Sequence, residues 1–311
     1  MKMNNVCVIG GSGFVGGHIA HLLAAQGINL RIPTRRRERA KGLLVLPTAE
    51  VVEADVHDDA ELDRLLAGMD AVINLVGILH GDFTAAHVEL PRKIVAACKH
   101  TGVTRLVHMS ALNAGSEAPS DYLRSKGAGE KIIMESGLMT TIFRPSVIFG
   151  PGDSFLNLFA GLARLPLLPL ASPHARFQPV FVEDVAHAFM ASLAQPATFG
   201  QRYNLCGPKT YTLRQLVAYV AKITGHNPAI IGLNNGLSWL QALTLELLPG
   251  KLMTRDNYCS MKVDSVCNDS ANNFPATFCI RPTALEQVAP LYLARHLPHE
   301  RYSRFRHRAG R

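Results

Sequence analysis

The sequence predicts an α/β protein: a doubly wound parallel sheet over residues 1–150, a smaller and less regular part over 151–290, and a basic tail over 291–311. Three observations carry this expectation. Short β-rich runs alternate with helical patterns through the first half, the mark of βαβ units and of a sheet covered on both faces. A glycine-rich turn follows the first run directly. The 311 residues are 48% hydrophobic and 18% charged, which suits one large core or two modest ones and does not suit a disordered chain.

In order, "NVCVIG" (5–10) reads as a strand and "FVGGHIAHLLAAQG" (14–27) as a helix with a glycine end. "INLRIP" (28–33) and "AEVVEAD" (49–55) are further strands, followed by the helix "DDAELDRLLAGM" (58–69). The strand "AVINLVG" (71–77), the helix "AAHVELPRKIVAACKHTG" (85–102) and the strand "RLVHMSA" (105–111) continue the alternation. A helix over 121–137 and the strand "MTTIFRPSVIFG" (139–150) close it, with right-handed crossovers expected throughout. After "FGPGD" (149–153) the pattern loosens. Residues 155–173 are apolar and proline-rich, 177–194 read as a strand entering a helix, and 212–225 and 236–250 read as helices. The stretch 176–206 is expected to return to the sheet.

Six cysteines (7, 98, 206, 259, 267 and 279) show no metal-ligand spacing, so no metal site is expected, and they read as reduced thiols. No apolar run reaches spanning length, and the N-terminus lacks a leader pattern, which points to a cytoplasmic protein. The net charge of +8 gathers in two places. Arg35, Arg36, Arg37 and Arg39 form one cluster; Arg295, Arg301, Arg304, Arg306, Arg308 and Arg311 form the other. No nucleic-acid-binding fold accompanies the tail, so it reads as solvated, with anionic lipid as the functional alternative. The helix around Trp239 reads as a cover for the core, or else as an anchor to a membrane surface or partner.

The chemistry concentrates in three places. "VCVIGGSGFVGG" sets glycines where a strand turns into a helix, with Gly11, Gly13 and Gly16 in G-x-G-x-x-G spacing and Gly10, Gly13 and Gly16 in a looser one. Small residues there let a pyrophosphate reach the helix N-terminus, which marks a dinucleotide site of the Rossmann type. The second strand ends in "IPTRRRER" with no acid before Glu38. Where NAD binders place a carboxylate for the ribose 2′-OH, this chain offers guanidinium groups, so NADP(H) is expected over NAD(H), with Arg35 first and Arg36 second. Lastly, Tyr122 and Lys126 stand four apart on a helix and share a face, with Ser110 at a strand end before them. A phenol working near neutral pH needs its pKa lowered by about 3 units, and a nearby ammonium supplies most of that.

Ser, Tyr and Lys in this order behind a dinucleotide loop resemble the short-chain dehydrogenase/reductase superfamily, in its extended and atypical branches. Seven stretches, "RIPTR", "VINLVG", "VHMSALNA", "YLRSKGAGEK", "RPSVIFGPGDSFLN", "QPVFVEDVA" and "LMTRDN", resemble one subgroup. It contains the NADPH-binding accessory subunit of respiratory complex I and its bacterial relatives. The resemblance implies Ser110, Tyr122 and Lys126 as catalytic residues. It implies cofactor contacts from Gly10, Gly11, Ser12, Gly13, Phe14, Val15 and Gly16, from Arg35 and Arg36, and from Tyr122 and Lys126. Asp55 and Val56 would flank the adenine, Asn74, Leu75, Val76 and Gly77 would line the cofactor, and Pro145 and Ser146 would approach the nicotinamide. Two functions follow: an enzyme, either an oxidoreductase on a small carbonyl, alcohol or quinone-related substrate or an epimerase/dehydratase, or else a cofactor-holding accessory protein of a respiratory or quinone-synthesising complex, peripheral to a membrane. One departure stands out. Where many members carry an asparagine that completes a proton relay, this chain has His87, which reads as a packed histidine more readily than as a proton carrier. His108 reads as packing.

Overall fold

A computed structural model describes residues 3–248, 251–267 and 274–294. Six strands, β1 (Asn5–Ile9), β2 (Asn29–Thr34), β3 (Ala49–Glu53), β4 (Ala71–Asn74), β5 (Arg105–Met109) and β6 (Met139–Pro145), are joined by helices α1 (Phe14–Ala25), α2 (Asp59–Leu66), α3 (Leu90–Thr101) and α4 (Asp121–Met134), with only a 3-10 turn (Arg37–Ala40) between β2 and β3. The chain continues through β7 (Ile148–Phe149), α5 (Phe155–Leu162), β8 (Leu167–Leu170), β9 (Arg176–Phe177), β10 (Val180–Phe181) and α6 (Val182–Ala194). Then come β11 (Gln201–Leu205), β12 (Tyr211–Thr212), α7 (Leu213–Ile223), β13 (Ala229–Gly232), α8 (Asn235–Leu247), α9 (Arg255–Ser260) and α10 (Leu285–Leu293).

Seven strands form one parallel sheet in the order β11-β6-β5-β4-β1-β2-β3. The order reverses between β4 and β1, and at such a switch point the carboxyl ends of the strands open a crevice for ligand. Strands buried on both faces explain the near-continuous apolar runs. Val6 and Val8 enter the core shared with α1 and α6, whereas Cys7 and Ile9 enter the core under α2 and α3.

Several boundaries differ from expectation for local reasons. β4 stops at Asn74, three residues early, because the Asn74 Oδ1 accepts the Val76 N–H and turns the chain out of the sheet. The expected helix over 85–102 opens with one π-helical turn, Ala85–Glu89. Pro91 has no N–H for the His87 carbonyl four residues back. That carbonyl instead faces Gly129 of α4, where an added Cβ would lie 2.1 Å from it.

A separate apolar cluster joins Phe149, Leu156, Leu168, Leu216, Val220 and Leu285 from β7, α5, β8, α7 and α10. α8 does not cover a core, contrary to the reading from sequence. Only Ser238 and Ala242 are buried along it, while Leu237, Trp239, Leu240 and Leu247 are exposed. Among the described residues no helix is long and apolar enough to cross a membrane. The tail from Arg295 lies outside the described residues.

The thiol reading also needs correction. Cys206 and Cys267 form a disulfide, with Cα atoms 6.2 Å apart at a sequence separation of 61. No spacing signal foretells a pair so remote. β11 delivers Cys206 to the rim of the sheet, and a strap running beside Phe177 brings Cys267 to it. The reduced state expected for all six cysteines therefore does not hold for this pair. Cys7 and Cys98 do remain buried thiols, pushed up to about 12 by burial.

Candidate active site

The β1–α1 turn is a cradle that only glycine allows. A Cβ on Gly16 would sit 2.5 Å from the Gly10 carbonyl oxygen, and one on Gly11 would meet Ile32 at 2.8 Å. Gly10 has φ +82°, and its missing Cβ lets the turn lie against the backbone of Leu75 and Val76. The Gly13 N–H donates to the Gly10 carbonyl, and Gly13 then begins α1 with no side chain capping it. Ser12, Phe14 and Val15 stand in this first turn, where helix N–H groups lack intrahelical partners and attract anions. The turn fits a pyrophosphate.

Arg35 and Arg36 follow β2 directly and are exposed at the open end of the crevice. The Thr34 hydroxyl accepts the Arg36 N–H and shapes this exit. No described ion pair engages Arg35 or Arg36, although others occupy Arg31, Arg64 and Arg92 nearby in the chain. Asp55 lies just past β3, its N–H given to Glu61 and its Oδ1 accepting the His57 N–H. Val56 packs against the α2–α3 core.

Lys126, 2% exposed, reaches from α4 to the ends of β4 and β5. Its Nζ donates to the Val76 and Met109 carbonyl oxygens, both at 3.1 Å, and lies where a Cβ on Gly77 would touch it. Burial lowers its pKa from 10.5 to about 8. Near it, the Ser110 hydroxyl and the Asn74 amide nitrogen are buried without hydrogen-bond partners among the described residues, and the His108 ring is buried beside the Asn74 backbone. Asn74 and His108 are register neighbours on β4 and β5. Unpaired buried polar atoms are costly, and their concentration at the switch point marks where a ligand or water belongs.

Burial, and then the Asp256 carboxylate, push Tyr122 up to about 12. The Lys126 ammonium is spent on backbone carbonyls, and the α9 segment brings a negative charge that no pattern within 121–131 reveals. Asp256 accepts the Asp121 and Tyr122 N–H groups at the start of α4, and the Ser260 hydroxyl donates to Ser120. The capping box of Thr254 and Asn257 is the sequence signal that would have located α9.

His87 is the packed histidine expected. Its Nε2 accepts the Ile78 N–H, so Nδ1 carries the proton and donates to the Ser125 Oγ, which donates to the Tyr122 carbonyl. The ring stacks on Phe83 and meets Tyr122 edge-on at 5.6 Å. Burial, then Lys126, hold it down to about 3, hence neutral. Pro145 and Ser146 end β6 at the crevice, but the Ser146 hydroxyl donates to the Ser265 carbonyl at 2.8 Å. The strap carrying Ser265 therefore claims that hydroxyl.

A Rossmann crevice with a glycine cradle and a Ser–Tyr–Lys set defines a nicotinamide-dinucleotide-binding protein. Residues 10–153 match the family described as NAD(P)H-binding. The chain is 30% identical over 233 residues to a ceramide reductase of Caulobacter vibrioides, covering 73% of each protein. It is 34% identical over 229 residues to the mitochondrial NADH dehydrogenase (ubiquinone) 1 alpha subcomplex subunit 9 of Mus musculus, covering 70% of this chain and 60% of that one. The chain thus spans about 60% of the length of those mitochondrial relatives. Its fold matches a nucleoside-diphosphate-sugar epimerase of Staphylococcus aureus, with TM-score 0.72, 19% identity, and coverage of 91% of this chain and 98% of that one. It also matches a dTDP-glucose 4,6-dehydratase of Streptomyces venezuelae with NAD bound, with TM-score 0.67, 22% identity, and coverage of 76% and 86%. The chain belongs to the NAD(P)H-binding family of that model and of the reductase relative.

Proposed function

We propose that the chain binds NADP(H) in preference to NAD(H) and acts as an oxidoreductase on a small carbonyl or quinone-related substrate. The observation that supports this best is the convergence, at one switch point, of the Cβ-free cradle, the buried Lys126 and the unpartnered Ser110 hydroxyl. A bound nicotinamide would supply the hydride. Backbone N–H groups from Gly10 to Gly16 hold the pyrophosphate. Arg35, helped by Arg36, takes the 2′-phosphate with charge-assisted bonds. Asp55 and Val56 border the adenine, and Asn74 to Gly77 line the cofactor's path. The Lys126 ammonium grips the ribose. Tyr122 donates the proton to the substrate oxygen, with the Ser110 hydroxyl donating a hydrogen bond to the same oxygen. Pro145 and Ser146 bound the far end.

The second reading is a cofactor-holding accessory protein of a respiratory assembly at a membrane surface. The named relatives from respiratory complex I and the exposed leucines of α8 agree with it. The discriminating experiment pairs an NADPH binding titration with an anaerobic search for NADPH oxidation across quinone and carbonyl panels. The oxidoreductase reading expects turnover that Tyr122→Phe abolishes while binding persists. Binding without any turnover leaves the accessory reading, and absence of binding discards both.

A further inference from the structure

A cavity of about 590 Å³ lies in the second half of the molecule, outside the cofactor crevice. Its walls come from the turn after β8, the β13–α8 turn, the start of α7 and the α9 end, and none of the candidate cofactor residues lines it. Three basic side chains do: His174, Arg214 and Lys262. No aspartate or glutamate lines the cavity, and none of the three forms an ion pair among the described residues. Elsewhere on this part of the surface cations are paired: Arg176 with Asp264, Lys209 with Glu286, and Arg255 with Glu246. Here they are left facing an open space.

The other lining groups are of two kinds. Pro173, Ala175, Leu233, Met261 and the ring of Tyr258 are apolar, and Lys262 Nζ sits 5.4 Å from the centre of that ring. Ser172, Asn234 and Asn235 are polar, and α8 starts here with no acid in its first turn. Ser172 holds φ +46°, a left-handed conformation that a residue with a Cβ adopts under strain. Two permanent cations and a histidine without a carboxylate attract a dianion more strongly than a monoanion, and the guanidinium fork matches phosphate oxygens. The apolar wall leaves room for an organic substituent beyond the charge.

From this combination we infer that the cavity is a binding site for a phosphate monoester, with Arg214, Lys262 and His174 on the phosphate and Leu233, Met261 and Tyr258 against its organic part. Arg214 is the fork; its guanidinium now makes only a 3.4 Å bond to the Ile230 carbonyl. Tyr258 belongs to the same short helix as Asp256, so the cavity and the start of α4 share one wall. The inference rests on the cavity alone and stands whether or not the crevice turns over a substrate.

The ester could be free in solution or be the headgroup of a lipid reached over the exposed face of α8, and the test has an arm for each. Isothermal titration of the full chain with glycerol 3-phosphate, against a glycerol blank, reads the soluble arm. Co-sedimentation with phosphatidylcholine vesicles with and without phosphatidic acid reads the lipid arm. Each is repeated on the Arg214→Gln/Lys262→Gln double variant; both side chains are exposed, and its melting temperature checks that it folds. The site predicts binding in at least one arm that the double variant weakens by about tenfold or more, as expected for lost charged hydrogen bonds. The arm that responds names the source. Binding in neither arm, or equal binding by the two proteins, overturns the inference.

Discussion

Residues 5–145 and residues 149–294 are held by different means. In the first region successive parallel strands pair through backbone ladders, and buried side chains such as Lys126 and Arg105 add ties across them. In the second, β7, β9, β10 and β12 are two residues long, and distant side chains do the joining. Tyr292 donates to Asp153 at 2.5 Å, Tyr211 and Lys209 both donate to Glu286, and Asp184 accepts from Thr283. The strap at 264–267 is fixed by Arg176, Gln178, Ser146 and a disulfide. Ladders make a rigid floor for the cofactor crevice, whereas point ties let a surface vary in shape.

The comparison sharpens most at the disulfide. In the chain-entropy account a cross-link across about 60 residues stabilises by about 4 kcal/mol. Cys206→Ser should lower the unfolding free energy by that order in denaturant titrations and leave NADPH affinity nearly unchanged, because the glycine cradle lies in the ladder-built region. A large loss of NADPH affinity would show the two regions to be one cooperative unit.

The next largest effect belongs to the sheet. Arg105 is fully buried on β5. It donates to the carbonyls of Leu106, Met139, Ser192 and Leu193 and to Thr141 Oγ1, and lies 4.5 Å from the Phe199 ring centre. It thereby caps the last turn of α6 and ties α6 to the sheet. Arg105→Met should cost about 3 kcal/mol, since several buried carbonyls lose their donors together. A change under about 0.5 kcal/mol, the scale of an ordinary surface substitution, would mean that water replaces the guanidinium.

Smaller effects probe the crevice. Arg35→Ala should weaken NADPH by about 2 kcal/mol and leave NADH almost unchanged, the signature of a lost charged bond to the 2′-phosphate. Equal loss for both cofactors would remove Arg35 from that role. The smallest expected effect is on pH. Burial holds Lys126 near 8 instead of 10.5, so its ammonium is present below pH 8 and lost above it. NADPH affinity should be flat below about pH 7 and fall as pH rises through 8, by at most about tenfold per pH unit. Lys126→Met should bind weakly with no such slope. Over the same interval, between about 8 and 10.5, the unfolded chain holds the extra proton, so this residue makes stability rise with pH.

Much of the first region is legible in the sequence because its determinants are local. Strand–helix alternation, the glycine spacing and the arginine directly after β2 each follow from backbone sterics or periodicity within a few residues. The four-residue spacing of Tyr122 and Lys126 likewise puts both on one face of α4. Their charge states were decided elsewhere. Lys126 meets the Val76 and Met109 carbonyls, and Tyr122 meets the field of Asp256, 134 residues away in sequence. The bond of Ser146 to Ser265 and the pairing of Cys206 with Cys267 join residues more than 60 positions apart, so neither is visible along the sequence. Short strands such as β9 and β12 carry too few residues for a period to register, and α8 carries an apolar pattern that reads the same whether it is buried or exposed. Sequence alone determined the sheet, its order of elements and the place of the dinucleotide loop, because those depend on near neighbours along the chain. Only the tertiary structure decided which charges face which, and which apolar face stays open, because burial and Coulomb interaction depend on distance in space.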